Sequence, residues 1–410
     1  MQIKPKLTKC RVTGEKIPIL YNFGKMPIAN NFTNSLDNKN FYEMKVAFNK
    51  NNGIFQLIDS PKPKKLFHKN YAFLSSTSDN MKLHFQRIAK ELKPKKKNKD
   101  FSIMEIGCND GIFLQNFKNF RHLGVEPSKN VYKICKSKKL NVINSFFNMD
   151  LVKKKKLQNK FDIIFAANVI CHIPNINSLF QCVEKCLKDD GIFVFEEPYL
   201  GSMIEKTSYD QIYDEHYYMF SANSINSLIQ NTDLRLFNAK KIPTHGGSMR
   251  YYLKKTKSSK KNIGIKKIMA FEKKLKITKI STMKKFILNC IKSRNQILNT
   301  IKLVRKKNLN IYGYGATSKS TTILHFCNID NKAISGIFDT SPTKINKFFP
   351  GKNIKIIDYK NFSKIKPKYC ILFAWNHYKE IFNKERKNKI KWICHINKKH
   401  FPKKFRNNFL

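Results

Sequence analysis

The chain has few acidic residues, and it lacks two patterns that would assign it to a class at once. Its 410 residues include 28 Asp and Glu against 80 Lys and Arg, a formal charge of +52. The ten cysteines stand singly, without the Cys-x-x-Cys pair that indicates zinc or a redox dithiol. No stretch of about 20 apolar residues occurs, so we expect neither a secretion signal nor a membrane partner. A reduced, cytoplasmic protein fits these absences.

The excess of positive charge would ordinarily indicate a nucleic-acid partner, because phosphates attract a basic surface. Here the lysines are spread along the whole chain beside many Asn and Ile, and there is no Arg-rich tail. These three residues share AT-rich codons, so we attribute the charge to genome composition and expect no nucleic-acid partner. An attraction to small anions such as nucleotide diphosphates still follows from so positive a field.

Length and pattern predict several compact units in a chain of this size. Residues 1–80 are rich in turns and contain only brief strand-like runs, which indicates a small irregular domain. Residues 81–255 alternate helical and apolar-strand patterns, as a doubly wound α/β domain does. Residues 256–307 predict a connector of one or two amphipathic helices, and residues 308–410 repeat the α/β pattern in a smaller second sheet.

The first chemical motif is a glycine turn within Met104–Ile112, where a predicted strand ends and a helix begins. Gly107 and Gly111 allow close approach of a ligand, while Glu105 and Asp110 can accept hydrogen bonds. The turn has neither the dinucleotide fingerprint nor the Gly-Lys-Ser/Thr of a P-loop. An acidic turn of this kind suits a positively charged ligand without phosphate, and S-adenosylmethionine fits that description.

Two features that follow the turn strengthen this interpretation. Glu126 ends the next predicted strand, roughly 20 positions after the glycines, where a carboxylate can accept from both hydroxyls of a ribose. A further apolar strand over residues 161–168 ends at Asn168. Turn, acidic residue and strand together predict a class I methyltransferase domain with S-adenosylmethionine as its cofactor.

The segment Asp210–His216 places Tyr213, Glu215 and His216 close together beyond the buried strand Gly191–Phe195. Open α/β sheets hold their chemistry at the carboxyl ends of strands. Three proton-handling side chains at such a place suggest acid/base catalysis. The alternative is that they only pack there, as Tyr and His near strand ends often do.

Motifs of one known family recur in order along nearly the entire chain. They are Gly24–Asn30, Glu105–Gly111, Ala167–Pro174, Asp210–His216, His245–Arg250, Gly313–Lys319, Phe338–Lys344, Pro350–Gly351 and Ala374–His377. By these motifs the chain resembles the sugar C-methyltransferases that act on nucleotide-linked 4-keto-deoxysugars, a family with a member in the tetronitrose pathway. The resemblance implies an α/β fold in which a class I methyltransferase Rossmann-like domain lies between a small N-terminal domain and a second Rossmann-like C-terminal domain.

The resemblance also implies roles for particular residues. His216 would be the general base, with Tyr213 and Glu215 as partners whose separate roles stay open, and Tyr71 would border the site. His172 would be a further active-site residue, unless it only caps the next helix. The residues implied in cofactor binding are Glu105, Gly107, Asn109, Asp110, Gly111, Glu126 and Asn168.

Substrate-binding candidates lie mainly in the last domain. The turn with Gly313, Gly315 and Lys319 has the form of a strand-loop-helix anion site, in which backbone amides and a lysine hold a diphosphate. It lacks the third glycine of a dinucleotide fingerprint, so the substrate's nucleotide is a better ligand than NAD. Lys344 and Asn376 are further candidates in this domain. His245 and Arg250, beside a Gly-Gly turn, either meet substrate or close the sheet.

One departure from the family concerns zinc, which the resemblance implies would be held by two Cys-x-x-Cys pairs in the small domain. The corresponding positions here are Cys10, Thr13, Asn49 and Asn52. A closed structural site needs about four soft or imidazole ligands. We therefore predict that the chain holds no structural zinc.

The predicted function is S-adenosylmethionine-dependent C-methylation of a nucleotide-diphosphate 4-keto-deoxysugar at the carbon next to the ketone, carbon 3 by the resemblance. Carbon becomes nucleophilic there only after a base removes a proton to give an enolate. The alternatives are a methyltransferase for RNA or another small molecule, and a scaffold without catalytic activity.

Overall fold

The computed structural model describes residues 6–35, 40–67, 71, 74–95, 99–256 and 263–410, which form three β-sheets with helices around them. The strands are β1 (Leu7–Lys9), β2 (Lys16–Pro27), β3 (Phe41–Asn49), β4 (Ile54–Leu57), β5 (Ser102–Ile106), β6 (Arg121–Val125), β7 (Val142–Ile143), β8 (Phe161–Ala167), β9 (Leu187–Pro198), β10 (Tyr218–Met219), β11 (Leu234–Ile242), β12 (Ser248–Lys255), β13 (Ile311–Tyr314), β14 (Ile337–Asp339), β15 (Ile356–Asp358), β16 (Tyr369–Leu372) and β17 (Lys391–Ile393).

The helices are α1 (Pro63–Leu66), α2 (Asp79–Leu92), α3 (Lys129–Ser137), α4 (Met149–Lys154), α5 (Ile176–Cys186), α6 (Leu200–Lys206), α7 (Ala222–Leu228), α8 (Ile263–Leu275), α9 (Ile280–Arg305), α10 (Ser320–Phe326), α11 (Phe362–Ile365) and α12 (Tyr378–Lys384). No helix of the described ranges is both long enough and apolar enough to cross a lipid bilayer.

The central sheet has seven strands in the order β11-β12-β9-β8-β5-β6-β7. Its strands from β9 to β7 run parallel, whereas β12 is antiparallel to both of its neighbours. All five side chains of β5 are buried, as expected for a strand with helices on both faces of a parallel sheet. The sheet is Rossmann-like, and its middle strands end beside one another at the glycine turn.

The small N-terminal domain is more regular than its sequence indicates. It is an antiparallel sheet of five strands in the order β1-β2-β3-β4-β10, in which β2 is 12 residues long and β3 is 9. The register of β2 against β3 shifts twice, between Ile19 and Tyr21 and between Asn22 and Lys25. Each shift changes which face of the sheet the following side chains meet. Strand β2 therefore has no simple alternation of buried and exposed residues.

The last strand of the N-terminal sheet comes from the middle of the chain. Strand β10 begins two residues after His216 and pairs with β4, Tyr218 opposite Gln56. The segment with Tyr213, Glu215 and His216 is therefore anchored in the N-terminal sheet at one end and follows the central sheet at the other.

The C-terminal sheet is a second Rossmann-like unit. Its five strands, in the order β15-β14-β13-β16-β17, are all parallel. The edge strands β15 and β17 have only three residues each, and the apolar runs of the sequence did not predict them. Helix α10 follows the turn after the middle strand β13.

Two helices, α8 and α9, occupy the predicted connector, whose residues 257–262 lie outside the described residues. A single apolar core joins α9 to the N-terminal and C-terminal sheets, and it includes Ile212 and Tyr213. The segment Tyr209–His216 is thus packed where the three sheets meet.

Candidate active site

The site is a cavity of about 470 Å³ to which all three parts of the chain contribute. Its walls come from the turns after β5 and β8, from the segment that ends at His216, and from the turn after β13. Most of the predicted site residues line it. They are Tyr71, Glu105, Gly107, Asn109, Glu126, Asn168, His172, Tyr213, Glu215, His216, His245, Lys319, Lys344 and Asn376.

The glycine turn after β5 forms one end of the cavity, and its backbone needs glycine at position 107. Gly107 has a positive φ of 65°, and an added Cβ atom would lie 2.4 Å from a methyl group of Val169. A side chain is therefore excluded both by conformation and by space. Glycine at this position therefore lets the turn pack closely against the segment that follows β8.

Acidic and amide side chains surround the glycine turn. Glu126 accepts hydrogen bonds from the backbone N–H of Asn109 at 3.0 Å and of Ser128 at 2.7 Å, so its carboxylate holds the turn together. Burial raises the pKa of Glu105, and a cationic ligand would favour its ionised form. One oxygen each of Glu105 and Asn168 is buried without a hydrogen-bond partner among the described residues.

These groups fit S-adenosylmethionine, which has a positive sulfonium, an ammonium and two ribose hydroxyls. Unpaired buried acceptors cost free energy unless a donor meets them, and Glu105 and Asn168, which line the cavity, each hold one such acceptor. Two predicted cofactor residues do not line the cavity. Asp110 instead accepts from the backbone N–H of Ser76 at 3.2 Å, and an added Cβ on Gly111 would meet Leu140 at 2.3 Å.

His216 is held in one tautomer by its own segment. Its Nδ1 lies 2.8 Å from the carbonyl oxygen of Gln211. A carbonyl can only accept, so Nδ1 carries the hydrogen and Nε2 keeps its lone pair. Burial holds the pKa of His216 well below its usual 6.5, and the nearby His172 and Lys319 lower it further. The ring is therefore neutral at pH 7 and able to accept a proton.

Aromatic rings fix the plane of His216. The His172 ring stacks on it with centroids 5.2 Å apart, and the Tyr213 ring lies 4.1 Å away on a tilted plane. Burial lowers the pKa of His172 to about 3, and its Nε2 is buried with no partner in the part of the chain described. Burial also keeps Tyr213 a neutral phenol by raising its pKa well above 10.

Glu215 has a defined partner for each of its oxygens. Asn30 Nδ2 donates to Oε1 at 2.5 Å, and Tyr71 Oη donates to Oε2 at 3.4 Å. Burial raises the pKa of Glu215 to about 7, against the opposing effect of these two bonds. Sequence reasoning missed Asn30 as a site residue, although it closes one of the family motifs, because its partner is 185 positions away.

Two side chains of the C-terminal domain hold the segment Asp210–His216 in place. The indole N–H of Trp375 donates to Asp210 at 2.7 Å, and His395 Nε2 lies 2.9 Å from the other oxygen of Asp210. The next carboxylate along, Asp214, accepts from the backbone N–H of Ala29 at 3.2 Å. The catalytic candidates are thus positioned by contacts from both neighbouring sheets.

Two lysines of the C-terminal domain face the other end of the cavity. Lys319 Nζ donates to the carbonyl oxygen of His245 at 3.3 Å, and Lys344 Nζ donates to that of Ala316 at 2.9 Å. Burial lowers the pKa of Lys319 to about 8 and lowers that of Lys344 as well. Each ammonium donates to a carbonyl oxygen, and a carboxylate, Asp210 for Lys319 and Asp339 for Lys344, only partly offsets the effect of burial. An anion in the cavity would stabilise both positive charges.

The turn after β13 departs from the predicted anion site in one respect. Its backbone amides are already used: Ala316 N–H donates to Asp339 at 2.7 Å and Thr317 N–H donates to Ser320 at 3.1 Å. Gly313 and Gly315 do not line the cavity, and an added Cβ on Gly315 would meet Ala374 at 2.7 Å. The glycines let the turn pack closely, and an anion at this place would meet the charge of the lysine side chains.

Arg250 is not among the cavity residues. Its Nε and Nη1 pair with Glu196 at 2.6 Å and Glu91 at 2.8 Å, tying α2 to the central sheet. Of the two alternatives for His245 and Arg250, contact with substrate or a role in closing the sheet, the second applies to Arg250. His245 lines the cavity. Ser318 and His377 also line the cavity and were missed, although each lies within a family motif, Gly313–Lys319 and Ala374–His377.

The four positions that correspond to the family's zinc ligands come together around one thiol. The side-chain amides of Asn49 and Asn52 point at Cys10 Sγ from 3.4 and 4.0 Å, and that of Gln56 from 3.3 Å. Burial raises the pKa of Cys10, but hydrogen bonds from Asn49, Thr13 and Gln56 outweigh it and lower it to about 7. The absence of structural zinc stays a prediction.

A second group of metal-ligand types lies within the cavity wall. Donor atoms of Cys171, His172 and His216 are all within 4.8 Å of one another. A cation held there would occupy nitrogen lone pairs of both rings and remove the basic Nε2 of His216. We therefore assign this group no ion.

Comparison with known proteins identifies the domains that meet at this cavity. Residues 77–238 match a methyltransferase domain family, which confirms the class I methyltransferase fold, and residues 243–396 match the C-methyltransferase C-terminal domain. The C-methyltransferase NovU of Streptomyces niveus is 24% identical over 389 residues, which cover 93% of this chain and 92% of that protein. Malonyl-[acyl-carrier protein] O-methyltransferase 2 of Ilyobacter polytropus is 29% identical over 138 residues, 32% of this chain and 53% of that protein.

Solved structures are similar to less than half of the chain. An S-adenosylmethionine-dependent methyltransferase of Archaeoglobus fulgidus is 16% identical, covers 43% of this chain and 93% of its own, and superposes with a TM-score of 0.33. The YcgJ protein of Bacillus subtilis is 10% identical, covers 42% of this chain and 98% of its own, with a TM-score of 0.32. From the two domain matches we conclude that the chain is an S-adenosylmethionine-dependent methyltransferase, and it is similar over nearly its full length to a C-methyltransferase.

Proposed function

We propose that the protein methylates the carbon next to the ketone of a nucleotide-diphosphate 4-keto-deoxysugar, through an enolate formed by His216. The observation that carries this proposal is that one cavity joins three features: the acidic glycine turn, a neutral histidine whose Nε2 keeps its lone pair, and two lysines with little exposed surface. The first suits a cationic methyl donor, the second a carbon acid, and the third a diphosphate.

His216 performs the proton step. Its Nε2 lone pair takes the proton from the carbon next to the ketone, and the electron pair of that C–H bond moves into the enolate. The hydrogen bond from Nδ1 to the Gln211 carbonyl supports the positive charge that the ring then gains. S-adenosylmethionine, when bound, supplies a methyl group on a sulfonium for the new bond to that carbon.

Tyr213 is the better donor to the enolate oxygen. It lines the cavity as a neutral phenol beside the His216 ring, and a preorganised O–H in a site without water stabilises a developing oxyanion. Both oxygens of Glu215 are taken by Asn30 and Tyr71. Glu215 therefore has a positioning role, in which it holds Asn30 and Tyr71 at the cavity wall. His172 stacks on the His216 ring and fixes the plane of the base.

The lysines account for the nucleotide part of the substrate. Lys319 is buried and Lys344 is half-buried, both line the cavity, and burial lowers the pKa of each more than the nearby carboxylates Asp210 and Asp339 raise it. A diphosphate would offset the rest of that effect and gain strong charge-assisted hydrogen bonds. The likeness to the C-methyltransferase NovU supports attachment of the methyl group to carbon.

The test is incubation of the purified protein with S-adenosylmethionine and a panel of nucleotide-linked 4-keto-6-deoxysugars that differ in the base. We expect one member to gain a single methyl group, attached to carbon beside the ketone by mass and proton NMR. Methylation of oxygen, or transfer to RNA added in parallel while every sugar stays unchanged, would contradict the proposal.

A further inference from the structure

Asn30 makes two hydrogen bonds that link three distant parts of the chain. Its amide nitrogen donates to Glu215 Oε1 at 2.5 Å, and its amide oxygen accepts from the Ser318 hydroxyl at 2.7 Å. Asn30 follows β2 of the N-terminal sheet, Glu215 belongs to the catalytic segment, and Ser318 lies in the turn beside Lys319. All three line the cavity.

The two ends of an amide are chemically different, so its orientation depends on the charge of Glu215. An ionised carboxylate can only accept, which requires the amide nitrogen of Asn30 on its side and leaves the amide oxygen for Ser318. A protonated Glu215 can donate its O–H, and the amide then turns over, with its oxygen toward Glu215 and its nitrogen donating to the Ser318 oxygen. In that state the Ser318 hydrogen is released toward the cavity.

The surroundings of Glu215 make both states accessible near neutral pH. Burial raises its pKa to about 7, while the bonds from Asn30 and Tyr71 oppose the rise. The other titratable groups that face it are Tyr42, Cys171, Tyr213 and Asp214, each of which interacts electrostatically with Glu215. The tyrosines and the cysteine keep their protons at this pH because burial raises their pKa values. Glu215 and its immediate neighbour Asp214 thus carry the titratable charge on this side.

We propose that Asn30 is a positioning residue that couples the protonation of Glu215 to the direction of the Ser318 hydroxyl. An anion beside Lys319 that accepts a hydrogen bond from Ser318 would turn the amide over, and Glu215 would take up one proton from solvent. The step balances as one anion bound and one proton bound, with no bond made or broken besides the O–H of Glu215. The identity of this anion as the substrate's diphosphate rests on the proposed function.

The unliganded protein provides the first test. The infrared C=O stretch of a protonated carboxyl, assigned to Glu215 by its loss in Glu215→Gln, is followed against pH in the intact chain. Asn30→Ala removes a charge-assisted donor, and we expect the midpoint of Glu215 to move up by about one pH unit or more. The matched control is Asn22→Ala, which removes a similar Asn-to-Glu bond at the surface, 2.8 Å to Glu43, and should leave the midpoint unchanged.

The second test adds the anion. Thymidine diphosphate and uridine diphosphate serve as probes. In the wild type a saturating amount should raise the midpoint of Glu215 above that of the unliganded wild type. Ser318→Ala has no hydroxyl to transmit the change, so the probe should shift its midpoint by a smaller amount that reflects the added negative charge alone. Equal shifts in both proteins would overturn the coupling.

The outcomes separate this inference from the proposed function, because neither test uses a sugar or the methyl donor. An unchanged midpoint in Asn30→Ala overturns the role of Asn30 even if the enzyme methylates a nucleotide sugar. A shifted midpoint together with failure of every sugar and of both probes keeps the role of Asn30 and overturns the diphosphate. The folded state of each variant is checked by its thermal unfolding.

Discussion

The cavity lies between two glycine turns that share a geometry and differ in charge. The first turn follows β5, the middle of the five parallel strands of the central sheet, and the second follows β13, the middle strand of the C-terminal sheet. Glu105 and Glu126 line the cavity beside the first turn, and Lys319 and Lys344 line it beside the second. The same backbone arrangement would therefore suit a cationic ligand in one case and an anionic ligand in the other, because the side chains around the turn set the sign of the charge.

The two turns are alike in how their backbone amides are used. In the first turn the N–H of Gly107 donates to the neighbouring strand β6 and that of Asn109 donates to Glu126. In the second the N–H groups of Ala316 and Thr317 donate to side chains of their own domain. A ligand of the first turn would therefore meet carboxylates, and a ligand of the second would meet lysine side chains. Substitutions in one turn should therefore leave the ligand of the other unaffected.

The largest effect should come from reversing a charge in the second turn. In Lys319→Glu a carboxylate replaces the buried ammonium, and we expect the KM for the nucleotide sugar to rise about 100-fold or more. The dissociation constant of S-adenosylmethionine, measured by calorimetry, should stay within twofold. Lys332→Glu, an exposed change in the same domain, is the control and should alter neither constant. Equal losses of both ligands in Lys319→Glu would mean that the variant disturbs the whole cavity.

A smaller effect is expected from neutralising the first turn. Glu126→Gln keeps the shape of the side chain but removes a charge that accepts hydrogen bonds, so S-adenosylmethionine should bind about tenfold more weakly. Binding of a nucleoside diphosphate should not change. Glu43→Gln, at a surface carboxylate of the N-terminal sheet, is the matched control. If the diphosphate also bound more weakly, the two ends of the cavity would not be independent.

The two turns should also respond differently to pH. The pKa of Lys319 is lowered to about 8 by burial, so its positive charge is complete below that value and is lost as the pH rises through it. We expect the KM for the nucleotide sugar to rise above about pH 8, by up to tenfold per pH unit. His216 has a pKa well below 6.5 and stays neutral over this range. A KM that stays constant to pH 9 would exclude Lys319 as the group that binds the anion.

The smallest effect on activity is expected at Arg250, which belongs to neither turn. Arg250→Met leaves Glu196 and Glu91 without their buried partner, and such a loss lowers the free energy of unfolding by about 3–5 kcal/mol. Denaturant unfolding should show this decrease, while the KM of the folded variant stays the same. A raised KM with unchanged stability would restore Arg250 as a substrate residue.

Local sequence patterns were enough to predict the glycine turn and the catalytic segment of the site. The glycine turn and the segment with Tyr213, Glu215 and His216 are contiguous in sequence, so their chemistry can be recognised before the fold is known. The lysines were found because they lie within motifs of a family that the chain resembles. In each of these cases residue type and short spacing carry the information.

The rest depends on contacts between distant positions. Asn30 and Ser318 act as a pair only because the fold brings positions 288 residues apart within 2.7 Å. The same holds for Arg250, whose partners Glu91 and Glu196 are far away along the chain. The strands β2 and β3 were underestimated because register shifts break the alternation of buried and exposed residues on which strand prediction depends.

The central claim is that His216 generates an enolate between the two turns. Its most direct test is exchange of the proton beside the ketone in deuterated water, followed by proton NMR with the nucleotide sugar alone and no methyl donor. The wild type should exchange that proton, and His216→Asn should slow the exchange about 100-fold to 10,000-fold while still binding the nucleotide sugar. Undiminished exchange in His216→Asn would contradict the account and transfer the role of base to another group in the cavity.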